Sequence, residues 1–287
     1  MDLSQQTKHL CNLYEIKPAR SKGQNFLIKE EIYDKIIATA DLKSDDVVLE
    51  VGPGLGFLTA KLAARVKKVI AVELDDKLAK ILRAGLIAQG IKNVEVVNKS
   101  ILDIKIQPPL PPLIKGVIQP PLLPLSGQRN KIVANLPFNI TSIFLRKFLS
   151  AEIKPELMVL MLQKQVAERI VAKPGKMSLL AVSVQFYAKP DIEQIVLKEN
   201  FWPRPEVDSA IVKITLRQPK NREKDFFQLV KFGFSAKRKM LKNNLAAGLK
   251  ISQNQAVNKI TNAGFNPKIR AQELSVDDWF KLLREFY

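Results

Sequence analysis

Cysteine and histidine are almost missing from this chain. Cys11 and His9 are the single examples among 287 residues. One cysteine excludes a disulfide framework within the chain, and the two residues together cannot build a Cys/His metal centre. No metal is expected. Chemistry that needs a histidine base is disfavoured too, because His9 lies in a polar N-terminal stretch that reads as frayed. A lone thiol suits a reducing cytoplasm. No apolar run approaches the roughly 18 residues of a membrane span, and the start of the chain lacks an apolar signal core. A cytoplasmic protein without a membrane partner is the expectation. Acid is scarce as well. Asp and Glu number 28 against 46 Lys and Arg, which leaves a formal charge of +18. Such an excess predicts a polyanionic partner, nucleic acid ahead of an acidic membrane surface.

What is present is organised by alternation. Apolar residues Ile32, Ile36, Ile37 and Ala40 recur at helical spacing. Buried strands are predicted at 47–51, 68–73, 93–97, 131–134 and 157–162, with helices at 57–65, 76–88 and 140–149. Continuous apolar strands separated by amphipathic helices argue for an α/β fold, a mostly parallel sheet covered on both faces. The runs at 178–187 and 207–216 lack a clear helix between them and read as an antiparallel closing pair. Residues 224–287 carry helical patterns only, with breaks near Gly248 and Gly264. Two domains follow, 1–218 and a small helical domain over 219–287. Residues 105–128 stand apart: Gln107-Pro108-Pro109-Leu110 is nearly repeated at Gln119-Pro120-Pro121-Leu122. Proline this dense is neither helix nor central strand. It reads as an extended insertion loop packing its leucines on the surface, or as a polyproline ligand.

Two strand ends carry the chemistry. Val47–Val51 runs into Gly52-Pro53-Gly54-Leu55-Gly56. Glycines there let the backbone turn sharply and approach a ligand closely. A dinucleotide fingerprint needs its third glycine one residue later, where this chain has Phe57. The loop therefore suits a smaller adenosyl ligand. Glu73 ends the next strand, placed to accept the hydroxyl protons of a ribose. After strand 131–134 comes Asn135-Leu136-Pro137-Phe138. An exocyclic base amine is a poor nucleophile, its lone pair being delocalised into the ring. The Asn135 side-chain oxygen and the Leu136 carbonyl can accept its two N–H bonds and turn the lone pair toward a methyl sulfonium. Pro137 fixes the turn, and Phe138 offers a stacking face. No strong base is required, and alignment alone can supply roughly 7–11 kcal/mol. Phe201-Trp202-Pro203 is either the opposite wall of a base slot or core. Lys237, Arg238, Lys239 and Lys242 in an acid-free stretch, with Lys17, Arg20 and Lys22 near the N-terminus, form candidate phosphate-contacting strips.

Together these motifs resemble the ribosomal RNA adenine dimethyltransferase family, most nearly its bacterial small-subunit branch. The carriers are Gly23–Leu27, Glu50–Gly56, Ala71–Asp75, Asn135–Ile140, Phe201–Ser209 and Arg238–Leu245. The resemblance implies a Rossmann-like S-adenosylmethionine-dependent methyltransferase fold plus a C-terminal helical domain that binds rRNA. It implies dimethylation of two adjacent adenosines in the 3′-terminal hairpin of 16S rRNA, on a partly assembled small subunit, by a monomer. Asn25, Leu27, Gly52, Gly54, Glu73 and Asn135 would contact the cofactor, while Phe138 and Phe201 would hold the target base. Two departures stand out. Ser100 occupies the place where the family usually has an Asp for the cofactor's adenine, with Asp103 a possible substitute three residues on. Phe138 stands where Tyr is common. The competing readings are a non-catalytic rRNA-binding assembly factor, which Ser100 would favour, and a large-subunit 23S rRNA methyltransferase of the macrolide-resistance type. Pro53–Leu55 and the Asn-Leu-Pro order favour the small-subunit branch.

Overall fold

The computed structural model describes residues 1–19, 23–104, 106–107, 123–124, 130–218 and 221–287, apart from the side chains at 106, 107, 123, 124 and 138. The proline-rich insertion, and the two readings of it, lie mostly outside the described residues. Only the short strands β5 (Ile106–Gln107) and β6 (Leu123–Pro124) belong to it, paired parallel.

The frayed N-terminus expected from sequence is instead a helix, α1 (Leu3–Leu13). Its start is closed by a capping box in which Asp2 accepts from Gln5 N and Gln5 returns a bond to Asp2 N. That arrangement satisfies two otherwise orphaned donors, and Thr7 and Cys11 are buried beneath it. Strand β1 (Phe26–Leu27) and helix α2 (Glu30–Thr39) follow. Then come β2 (Val47–Val51), α3 (Phe57–Ala63), β3 (Lys68–Glu73), α4 (Asp76–Ala88), β4 (Val94–Asn98), β7 (Asn130–Asn135), α5 (Thr141–Leu149) and β8 (Leu157–Gln163). The chain continues through α6 (Lys164–Ile170), α7 (Leu179–Tyr187), β9 (Ala188–Val196), β10 (Phe201–Trp202) and β11 (Ser209–Leu216). It ends in α8 (Glu223–Gly233), α9 (Leu241–Leu249), α10 (Gln253–Asn262) and α11 (Val276–Phe286).

Seven strands form one sheet in the order β4-β3-β2-β7-β8-β11-β9. β4 through β8 pair in parallel, and β11 runs antiparallel to β8. Every residue of β2 is buried, on both faces of the strand. Only a sheet covered on both sides allows this, so the continuous apolar runs become interpretable as central strands. A separate pair joins β1 to β10 antiparallel, with Leu27 opposite Phe201 and Phe26 opposite Trp202.

The chain gathers into two units, residues 1–167 with 191–216, and 168–190 with 217–287. The second unit thus takes in a stretch that sequence reading placed in the first domain. Residues 178–187, expected as a strand, are helix α7. Ser178 caps it by accepting from Ala181 N, and an apolar run of this length has no period that separates a buried helix from a buried strand. Its Phe186 ring lies 4.6 Å from Phe226 and 4.8 Å from Phe227, centroid to centroid. These aromatic contacts tie it to the helical unit. The break expected near Gly248 is present: α9 ends at Leu249, with Gly248 in its last turn. A Cβ there would lie 2.4 Å from the Phe232 ring, so this glycine is kept by close packing. The chain turns at Lys250, which adopts a left-handed conformation (φ 56°). The break at Gly264 is present, at φ 86°.

Candidate functional site

A cavity of about 270 Å³ opens at the C-terminal ends of β2, β3, β4 and β7. This is where parallel α/β sheets hold ligands, because the connecting loops and helix N-termini meet there. Asn25, Leu27, Gly52, Gly54, Glu73, Ser100 and Asn135, the seven candidate cofactor contacts, all line it.

The glycine loop is tied down at both ends. Gly52 N donates to Val72 O at 3.0 Å, and Gly54 N donates to Glu73 Oε2 at 3.1 Å. Gly52, Gly54 and Gly56 all have positive φ, a conformation that costs glycine little and other residues more. Gly54 also faces the Phe26 ring, which a Cβ would approach to 3.3 Å. The pairing of β1 with β10 thereby lays Asn25–Leu27 against the loop.

Glu73 is buried and accepts on each carboxylate oxygen, from Gly54 N and from Asp75 N at 2.9 Å. Burial pushes its acid strength down, so its pKa is raised, and the two amide bonds oppose that shift. One lone pair per oxygen remains for ribose hydroxyls. At the neighbouring strand, Asn98 donates to Glu73 O at 3.0 Å. Ser100 lies just beyond. Its Oγ accepts from Leu102 N at 3.2 Å, and Lys147 of α5 pins the same loop by donating to Ile101 O at 3.1 Å and Leu102 O at 2.5 Å. Asp103 is exposed and is not part of the cavity wall, so it does not take the place of Ser100.

The Asn-Leu-Pro turn projects from the end of β7. Asn135 Nδ2 reaches toward Asn25 O at 3.5 Å, which leaves Oδ1 as the side chain's acceptor. Leu136 is buried, its N–H donating to Met161 O at 3.2 Å. Pro137 lies against Gly23, where a Cβ would come within 3.1 Å. The Phe138 side chain is outside what the structure describes. Phe201 is 4% exposed and packs in an apolar cluster with Leu27 and Tyr33, both of which line the cavity. Its register opposite Leu27 brings both side chains into that cluster.

Sequence reading missed Glu50. It lines the cavity, is 1% exposed, and its Oε2 has no hydrogen-bond partner. A signal was there: a single carboxylate inside the apolar run Val47–Val51 is costly to bury and calls for a reason. Burial, with the Glu73 charge adding to it, pushes Glu50 up to about 8. Cys11 offers no nucleophile, since burial pushes its thiol up to about 11. Among the described residues, no group of three or more His, Cys, Asp or Glu is placed to hold a metal, and no helix is long and apolar enough to cross a membrane.

The basic strip of the helical unit is a turn and not a helix face. Lys237, Arg238 and Lys239 are exposed between α8 and α9, while Lys242 in α9 is partly buried. Buried Asn244 fixes this turn by donating to Gly233 O at 2.6 Å and Ala236 O at 3.1 Å. Lys17 is exposed in the other unit; Arg20 and Lys22 lie outside the described residues.

The model of the ribosomal RNA adenine dimethylase family matches residues 17–287. The chain is 44% identical to ribosomal RNA small subunit methyltransferase A of Dehalococcoides mccartyi, over 99% of this chain and 94% of that protein. It is 35% identical to the protein of the same name from Clostridium botulinum, over 96% of each. Among solved structures, a dimethyladenosine transferase from Plasmodium falciparum superposes with a TM-score of 0.72 at 28% identity, covering 91% of this chain and 97% of that one. The 23S rRNA methyltransferase ErmE gives the same score at 27% identity, covering 91% and 99%. Glycine loop, strand-end carboxylate, Asn-Leu-Pro turn and full-length likeness agree: this chain belongs to the ribosomal RNA adenine dimethylase family, whose members are S-adenosylmethionine-dependent methyltransferases with a Rossmann-like fold.

Proposed function

We propose that this enzyme dimethylates two adjacent adenosines in the 3′-terminal hairpin of 16S rRNA, acting as a monomer in the cytoplasm on a partly assembled small subunit. The observation that carries the reading is the cavity itself, where the seven expected cofactor contacts share one wall with the Asn135–Pro137 turn. The identity of 44% to a small-subunit enzyme, against 27% to a large-subunit one, supports the choice of subunit.

The cofactor supplies an electrophilic methyl group on a sulfonium. The residues of the chain do the positioning. Glu73 holds a ribose through its free lone pairs, with the glycine loop close beneath. Asn135 Oδ1 and the Leu136 carbonyl accept the two amine protons of the target adenine, which concentrates its lone pair on the nitrogen. Asn25, by receiving the Asn135 amide, leaves that oxygen as the acceptor. Phe138 stacks on the base, a contact of about 1–3 kcal/mol. The amine becomes more acidic as it is alkylated, so solvent can take the proton. The cations at Lys237, Arg238, Lys239 and Lys242, together with Lys17, Arg20 and Lys22, contact phosphates, the 219–287 segment being the rRNA-binding part.

The test offers labelled S-adenosylmethionine and two acceptors: small subunits and large subunits, each lacking adenine dimethylation. Dimethyladenosine mapped to the 3′-terminal hairpin of the small-subunit RNA is the expected result. Label in the large subunit would move the enzyme to the other branch. Binding of small subunits without transfer would make it an assembly factor, with Ser100 the first residue to revert to Asp.

A further inference from the structure

A lysine usually lays its stem on the surface and keeps its ammonium in water. Lys147, half-buried in the last turn of α5, does otherwise. Its ammonium donates to two main-chain carbonyls of the loop after β4, Ile101 O at 3.1 Å and Leu102 O at 2.5 Å. The same loop is folded on itself, with Leu102 N donating to Ser100 Oγ at 3.2 Å and Asp103 N to Ser100 O at 3.0 Å. Ser100 and Ile101 are cavity wall, and Lys147 lies outside that wall. Holding a long, half-buried side chain in one geometry costs rotamer entropy and hydration. Charge-assisted bonds to two carbonyls offset that cost.

The other end of α5 begins at the acceptor turn. Ile140 N donates to Pro137 O at 3.3 Å, and Thr141 Oγ1 approaches the same oxygen at 3.5 Å. Between its ends the helix is seated by buried Phe144, Leu145, Phe148 and Leu149, the two rings 4.5 Å apart. From Thr141 to Lys147 is about 9 Å of helix. The strands that lead into the two walls, β4 and β7, are not neighbours: β3 and β2 lie between them. One packed helix therefore carries the Asn135–Pro137 turn at its start and holds the loop of a distant strand near its end. We propose that Lys147 is a positioning residue, which sets the Ser100–Asp103 wall at the distance from the acceptor turn that the cofactor requires. The inference rests on the reading of this cavity as the S-adenosylmethionine site. Loss of Lys147 loosens the cofactor wall and spares the acceptor turn, which keeps its own bonds to Met161 O and Pro137 O.

Titration of the full-length protein with S-adenosylmethionine, followed by initial-rate kinetics on small subunits lacking adenine dimethylation, separates this role from a purely structural one. In Lys147→Met the Kd and KM for the cofactor rise about tenfold. The kcat at saturating cofactor stays within about twofold of wild type. Wild-type cofactor affinity in the variant, or a fall in kcat with KM unchanged, would overturn the proposal and leave the site assignment standing. A second measurement needs only the wild type and serves should the variant fail to fold. Bound S-adenosylhomocysteine fixes the loop that holds the ammonium, so acylation of Lys147 by a small amine reagent slows about fivefold. An acylation rate indifferent to the ligand would overturn the proposal. No cofactor binding by the wild type at all would instead remove the site assignment itself.

Discussion

The two ends of the parallel sheet both bury carboxylates, and they use them differently. At the N-terminal end, Asp46 and Lys131 meet at 2.8 Å, 0% and 4% exposed, and Lys131 also donates to Asp41 O. Charge answers charge there, and Lys43 N adds a 2.8 Å bond to Asp46. At the C-terminal end, four residues further along the chain, Glu50 has no cation and one oxygen without a partner. Each carboxylate keeps one buried oxygen without a partner, so the difference between them is the cation: Asp46 has Lys131 and Glu50 has none. The contrast separates a buried charge neutralised within the fold from one that burial keeps neutral.

Asn135→Ala breaks the comparison most sharply. Methyl transfer in single turnover falls on the order of a hundredfold to a thousandfold, while rRNA binding and melting temperature stay near wild type. Equal transfer rates would remove the amine-acceptor role. At the opposite end of the sheet, Lys131→Met leaves Asp46 buried without its cation. Stability in denaturant falls by about 3–5 kcal/mol, and the added change Asp46→Leu recovers most of that loss. A double variant no better than the single would mean that the pair is not the cause.

Glu50 gives a smaller effect with a definite sign. Its folded pKa, about 8, lies above the ordinary 4.5, so the native state binds the extra proton. Stability from this group is complete below about pH 4.5 and is lost as pH rises through 8. Glu50→Gln has no proton to lose. It therefore melts higher than the cofactor-free wild type at pH 8.5, and the gap closes near pH 5. A gap independent of pH would contradict the burial argument. The mildest change is replacement of Lys237, Arg238 and Lys239 by Ala. Each lost phosphate contact lowers the slope of log affinity for rRNA against log salt by about one, with cofactor binding unaltered. A slope equal to that of the wild type would take this turn out of the RNA-contacting surface.

Most of the sheet was legible because buried parallel strands write themselves as uninterrupted apolar runs between amphipathic helices. β3 and α4 fall on their expected residues for this reason. The same property hid α7, since an apolar run buried on all sides looks alike as helix or strand. The cofactor wall was legible through motif spacing, which brings Gly52, Glu73 and Asn135 to one edge. Glu50 was hidden because what sets it apart is a cation it lacks, and a missing partner leaves no pattern in a sequence. Phe201 could not be placed for the converse reason: aromatics are equally at home in a base slot and in a core, and only the structure puts it opposite Leu27 in the apolar cluster.

The most direct measurement is a crystal structure of the protein with bound S-adenosylhomocysteine. The account predicts the ribose on Glu73, the adenine beside Ser100, and the sulfur directed at Asn135 Oδ1. A ligand bound elsewhere, or turned so that its sulfur faces away from Asn135, would contradict it.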